Sequence, residues 1–88
     1  MKLGDAVEAQ RAVDSVLAER PDDLDALAVR GRIEVATSRE AEAETTLRGV
    51  LAREPDDLFA REALVRALTR TQQWPLVIDE ATRLLETI

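Results

Sequence analysis

Val16-Leu17-Ala18-Glu19-Arg20-Pro21-Asp22-Asp23-Leu24-Asp25-Ala26 returns 34 residues later as Val50-Leu51-Ala52-Arg53-Glu54-Pro55-Asp56-Asp57-Leu58-Phe59-Ala60. Eight of the eleven positions are identical. Outward from that block the apolar pattern keeps the same offset. Ala9, Val13, Val16 and Leu17 correspond to Ala43, Leu47, Val50 and Leu51, and these to Val77, Ala81, Leu84 and Leu85. Each quartet is spaced i, i+4, i+7, i+8, the single apolar stripe of an amphipathic helix. Self-similarity at this period marks stacked helical units, each burying its apolar face against its neighbours.

Punctuation splits each unit into two helices. Pro21 and Pro55 close one helix, because the residue before a proline is pushed out of the α region. Asp23 and Asp57 follow where an N-cap oxygen accepts backbone N–H bonds for the next helix. Thr37-Ser38-Arg39-Glu40 reads as a capping box opening another. Trp74-Pro75 marks the equivalent boundary, with Pro75 in a first turn that needs no N–H, and Gly4-Asp5 marks the earliest one. The spacing predicts five helices, over 5–19, 23–36, 39–53, 57–71 and 75–87, in one domain. Leu47 and Leu51 are expected in its core.

Composition agrees and narrows the function. The 88 residues are 45% apolar and 34% charged, with only Phe59 and Trp74 aromatic. An Ala/Leu/Val interior with so few rings suits close-packed helices rather than a sandwich or barrel. Cysteine and histidine are absent, which removes disulfides, thiolate zinc sites, a Cys nucleophile and His acid/base chemistry. The net charge of −6 argues against nucleic acid or an anionic membrane surface as partner. No apolar run spans a membrane and no secretory h-region opens the chain, so a cytoplasmic location is expected.

No catalytic set can be assembled. Asp22/Asp23 and Asp56/Asp57 are adjacent carboxylates, but their identical place after proline at helix starts makes them caps that offset the macrodipole. Glu40, Glu42 and Glu44 splay over different helix faces as a solvated surface rather than a cation site. Ser15 and Ser38 lack a base at helical spacing, and the three glycines are scattered rather than forming a phosphate loop. Neither an enzyme nor a cofactor or metal is expected.

On the 34-residue period, the Pro-Asp-Asp joint and Gly31, the chain resembles the tetratricopeptide repeat family. Further likenesses are Ala9 and Ala43 at the family's small position, Trp74 at its aromatic position and the Gly4-Asp5 turn. The resemblance implies a right-handed α-solenoid of antiparallel helix pairs: a half repeat over 4–22, then repeats over 23–56 and 57–88. It also implies that Gly31 sits where paired helices cross. Arg30 and Glu34 depart from the family, standing where it places apolar residues inside the helix pair. Unpartnered burial would cost several kcal/mol, so an exposed i, i+4 pair is expected there.

The resemblance further implies a concave groove lined by the first helices of successive repeats, binding a partner peptide or helix. By repeat position it holds Asp25, Ala28, Arg32 and Val35, then Phe59, Glu62, Arg66, Thr69 and Arg70. Guanidinium forks suit carboxylates, so an acidic or C-terminal segment is the partner that Arg32, Arg66 and Arg70 would select. Solvated arginines, with Glu62–Arg66 a helix-surface pair, are the other reading. The expected function is therefore a non-catalytic protein–protein interaction scaffold. The alternative is a structural self-assembly module or a fragment of a longer repeat array. Homo-oligomers would then form through the end helices, with Val13, Trp74, Leu84, Leu85 and Ile88 as the interface.

Overall fold

A computed structural model describes residues 3–87. It contains α1 (Leu3–Glu19), α2 (Leu24–Ala36), α3 (Glu40–Arg53), α4 (Leu58–Arg70) and α5 (Trp74–Thr87), with no strand among the described residues. The expected all-α helical solenoid is what forms. Each helix packs on the next, and α2 also packs on α4. No Cα of α3 comes within 8 Å of α1 or α5. Thus α2 and α4 touch in one layer, while α1, α3 and α5 stand apart in the other.

The joints explain the repeat. Asp23 and Asp57 adopt extended backbone and accept from the N–H groups of Ala26 and Ala60, each at 3.0 Å. Two orphan donors are satisfied in the same way, 34 residues apart. Pro21 and Pro55 lie in the turns just before, as expected.

The Thr37–Glu40 segment does something different from the expected capping box. Thr37 is the C-cap of α2, its hydroxyl donating back to the Ile33 carbonyl at 2.8 Å. Ser38 sits in the left-handed region at φ 61, and its N–H reaches Val35 O while that of Arg39 reaches Glu34 O. This is a Schellman closure without its usual glycine. Thr71, Gln72 (φ 58) and Gln73 repeat it after α4. Arg39, the N-cap of α3, makes no side-chain cap. At the other end of the chain Gly4 and Asp5 are already helical, so the expected turn there is absent.

The core gathers Ala28, Val35, Ala43, Leu47, Val50, Ala60, Ala63, Leu64, Ala67 and Leu68. Leu47 is fully buried, whereas Leu51 is only half-buried at the core's edge. Gly31 lies over Leu47: a Cβ there would fall 2.5 Å from Leu47 Cδ2. Only a glycine permits that crossing without a shift.

Glu34 corrects the expectation of exposure. Arg30 is exposed and pairs with it at 3.8 Å, but Glu34 is only 2% exposed. Its other oxygen accepts from the Thr46 hydroxyl of α3 at 2.7 Å. The desolvation cost of a carboxylate is met by the Thr46 donor and the nearby Arg30 charge rather than avoided.

Candidate functional site

The layer in which α2 and α4 touch carries a cleft of about 440 Å³. Arg32, Val35 and Ala36 line it from α2, and Glu62, Ala63, Arg66 and Arg70 from α4. Both helices start at an Asp-capped joint and run the same length, so equivalent residues face the same space. Arg32 and Arg66 are such a pair.

Each arginine is held differently. The Arg32 guanidinium lies 5.3 Å from the centroid of the Phe59 ring, a cation–π contact of about 0.5–1 kcal/mol at an exposed site. Arg66 Nη2 is 2.7 Å from Glu62 Oε1, with both side chains about half exposed. Such a pair contributes only tenths of a kcal/mol. Arg70 Nη1 donates to the Val35 carbonyl at 2.8 Å and lies 3.8 Å from Glu40. It therefore caps the C-terminus of α2, where the dipole favours a cation. A guanidinium has five N–H donors and stays charged, so Arg32 and Arg66 retain donors for an incoming carboxylate.

The structure brings Arg32, Val35, Glu62, Arg66 and Arg70 to one cleft. Phe59 borders it, partly exposed, as the platform for Arg32. Thr69 is exposed, with its hydroxyl donating to Val65 O at 2.7 Å. Ala28 is buried in the core, and Asp25 lines a separate hollow against α1. Ala36 and Ala63 complete the wall and were not anticipated; small residues announce nothing in a sequence. Of the acidic run, Glu40 faces Arg70, and Glu44 faces Arg48 and Gln73.

Among the end residues, Val13 is buried, which closes it as an interface side chain, and Leu84 is half-buried. Trp74 and Leu85 are exposed, and so is Ile78, which was not singled out. Ile88 lies outside the described residues.

A buried ion pair was also missed. Arg61 of α4 and Glu80 of α5 are both buried and bonded to each other. Arg61 Nη2 also donates to the Pro55 carbonyl at 2.8 Å, and Arg48 of α3 lies 3.7 Å from Glu80. The signal was present: Arg61 and Glu80 stand 34 residues after Leu27 and Thr46, so one repeat has charges where its neighbour has none.

No described helix is long and apolar enough to cross a membrane. A family model described as tetratricopeptide repeat matches residues 1–68. No curated protein and no solved structure matches the chain.

Proposed function

Because the chain belongs to the tetratricopeptide repeat family, we propose that it is a scaffold that takes a partner peptide or helix in the cleft between α2 and α4. Tetratricopeptide repeats mediate protein–protein interaction, and the family is typically non-catalytic. The reading treats residues 4–22 as half a repeat and 23–56 and 57–88 as whole ones.

The observation that carries it is the pairing of Arg32 and Arg66 across one cleft, with Arg32 already ordered on Phe59. Two guanidinium groups on neighbouring helices can each meet a carboxylate of an extended acidic or C-terminal segment. Arg70 contributes charge at the cleft's end while its Nη1 remains engaged with Val35. Glu62 opposes a strongly acidic ligand near Arg66, which favours one or two well-placed carboxylates over a polyanion.

The test is titration of the full chain with a short acidic peptide at rising salt. Affinity should fall with salt, because part-exposed ion pairs are screened over about 8–10 Å. Arg66→Ala should weaken binding more than Arg83→Ala, since Arg83 stands on α5 beside Asp79 at 3.3 Å. Salt-independent binding, or equal effects of the two substitutions, removes the proposal.

A further inference from the structure

The same joint occurs twice, and polar links close only one copy. Where the start of α3 meets the end of α4, Arg70 reaches Glu40 at 3.8 Å. Gln73 Nε2 donates there to Glu44 at 3.3 Å and to Thr71 at 2.7 Å. Where α1 meets the end of α2, 34 residues earlier, the places of Arg70 and Glu40 hold Ala36 and Ala6. Those of Gln73 and Glu44 hold Arg39 and Gln10. Neither link forms: Arg39 Nε donates to Thr37 at 3.1 Å instead. A hollow of about 240 Å³ is left between Ala6, Val7, Gln10 and Arg11 of α1, Ile33 of α2 and Arg39 beyond it.

One polar atom is stranded in that wall. Gln10 Oε1 is buried and accepts no hydrogen bond. The amide cannot be turned round to cure this, because its Nε2 donates at 2.7 Å to Asp14 Oδ1, a carboxylate oxygen. Water is a poor occupant, since a buried water makes about three hydrogen bonds. Ala6, Val7 and Ile33 offer none from their side chains, and the Thr37 hydroxyl is already engaged with Ile33 O and Arg39. An N–H donor carried on an apolar body meets both demands of the hollow.

We infer that this hollow takes a tryptophan side chain of a partner protein, flanked by an acidic residue. Its volume is below the roughly 300–1,000 Å³ of pockets that hold a whole drug-sized molecule, so it suits one buried side chain. Indole supplies an N–H donor and no acceptor of its own, so pairing with Gln10 Oε1 leaves nothing unsatisfied. Arg11 and Arg39 stand exposed at the rim, and neither meets a carboxylate among the described residues. A carboxylate beside the tryptophan meets those charges. Stacking of repeats does not fill this place. Helix α2 meets α3 at Leu47, through Gly31, and at Thr46, through Glu34. The equivalent places on α1 are Val13 and Ala12, on a different flank from Val7 and Gln10.

The probe is N-acetyl-Asp-Trp-amide, and the readout is the Ile33 methyl resonance of the full-length chain. A saturable shift is expected. Methylating the indole nitrogen should weaken binding at least about tenfold, because it strands Gln10 Oε1 again. Replacing the probe's Asp by Asn should weaken it about threefold. Gln10→Leu in the protein should erase the preference for the unmethylated indole, which a merely structural change does not do. Gln10→Glu with Arg39→Gln installs the closure of the α3–α4 joint and should abolish the shift. Arg66→Ala should leave it unchanged, so this hollow and the cleft proposed above stand or fall separately. The inference is overturned if the parent gives no saturable shift, if the methylated or Asn probe binds equally, or if Gln10→Leu keeps the preference. It is overturned too if the closed variant binds like the parent, or if Arg66→Ala removes binding, which places the probe in the cleft. A shift that grows with protein concentration alone and vanishes with Trp74→Phe assigns the hollow to a second copy, and equally overturns it.

Discussion

Ala43, Leu47 and Val50 of α3 and Val77, Ala81 and Leu84 of α5 hold the same places in successive repeats, yet their surroundings differ. All three α3 residues are fully buried, whereas all three α5 residues are half-buried. Helix α3 is packed by α2 on one flank and α4 on the other, whereas α5 rests on α4. The same stripe therefore yields a core in one place and an edge in the other: in a repeat fold burial belongs to the interface between units. What the edge lacks in apolar cover it gains in polar attachment, through Arg61 and Arg48 on Glu80.

The sharpest way to break this comparison is at Glu80. Glu80→Ala should cost about 3–5 kcal/mol in urea denaturation, because it strands the buried Arg61 guanidinium. Replacing the pair together with what the preceding repeat uses, Arg61→Leu with Glu80→Thr, should fall within about 1 kcal/mol of the parent, since no charge is left unpaired. A double variant as damaged as the single one would mean that α5 needs the ion pair itself.

Next comes the apolar contrast. Leu47→Ala should cost about 2–5 kcal/mol, as for other fully buried leucines. Leu84→Ala deletes the same atoms at a half-buried site and should cost about 1 kcal/mol, in proportion to the smaller area withdrawn from water. Equal losses of the helical circular-dichroism transition would show that α5 is as enclosed as α3.

Legibility followed the length scale of the interaction. The period and its prolines place all five helices within two residues of their observed ends, because stripes and N-caps are local. Thr37–Glu40 was misread as a capping box because Thr and Ser serve both helix ends, and the αL position that would announce a C-terminus holds Ser38 instead of glycine. Burial of Glu34 and of the Arg61–Glu80 pair was invisible to local windows, since Glu34 is covered from α3, where Thr46 donates to it, and Arg61 and Glu80 meet from different helices. In the cleft, Arg32 and Arg66 were legible from the repeat. The Arg70–Val35 cap was not, because it joins a side chain to a backbone 35 residues away.

Smaller effects test where the two repeats are alike. Asp23→Ala and Asp57→Ala should each cost about 0.5–2 kcal/mol for the matching 3.0 Å caps, with Asp23→Ala a few tenths larger because Asp23 also pairs with Arg20 at 3.5 Å. Thermal melts that separate them by more than about 1 kcal/mol would mean that the two caps themselves are unequal. Smallest, and opposite in sign, Ser38→Gly and Gln72→Gly should each stabilise by about 0.5–1 kcal/mol, relieving a left-handed backbone that side chains resist.

The spacing of the helices also has a mechanical meaning. One layer in contact and one layer held apart are the compressed and stretched sides of a bent beam. Flexing such a beam to admit a bulkier guest closes slack on the stretched side before it strains the packed side. Across that slack between α3 and α5 Arg48 reaches Glu80 at 3.7 Å, a tether that resists widening of the gap and leaves its closing free. Elastic compliance thus sits on the back of the molecule, opposite the surface that would grip.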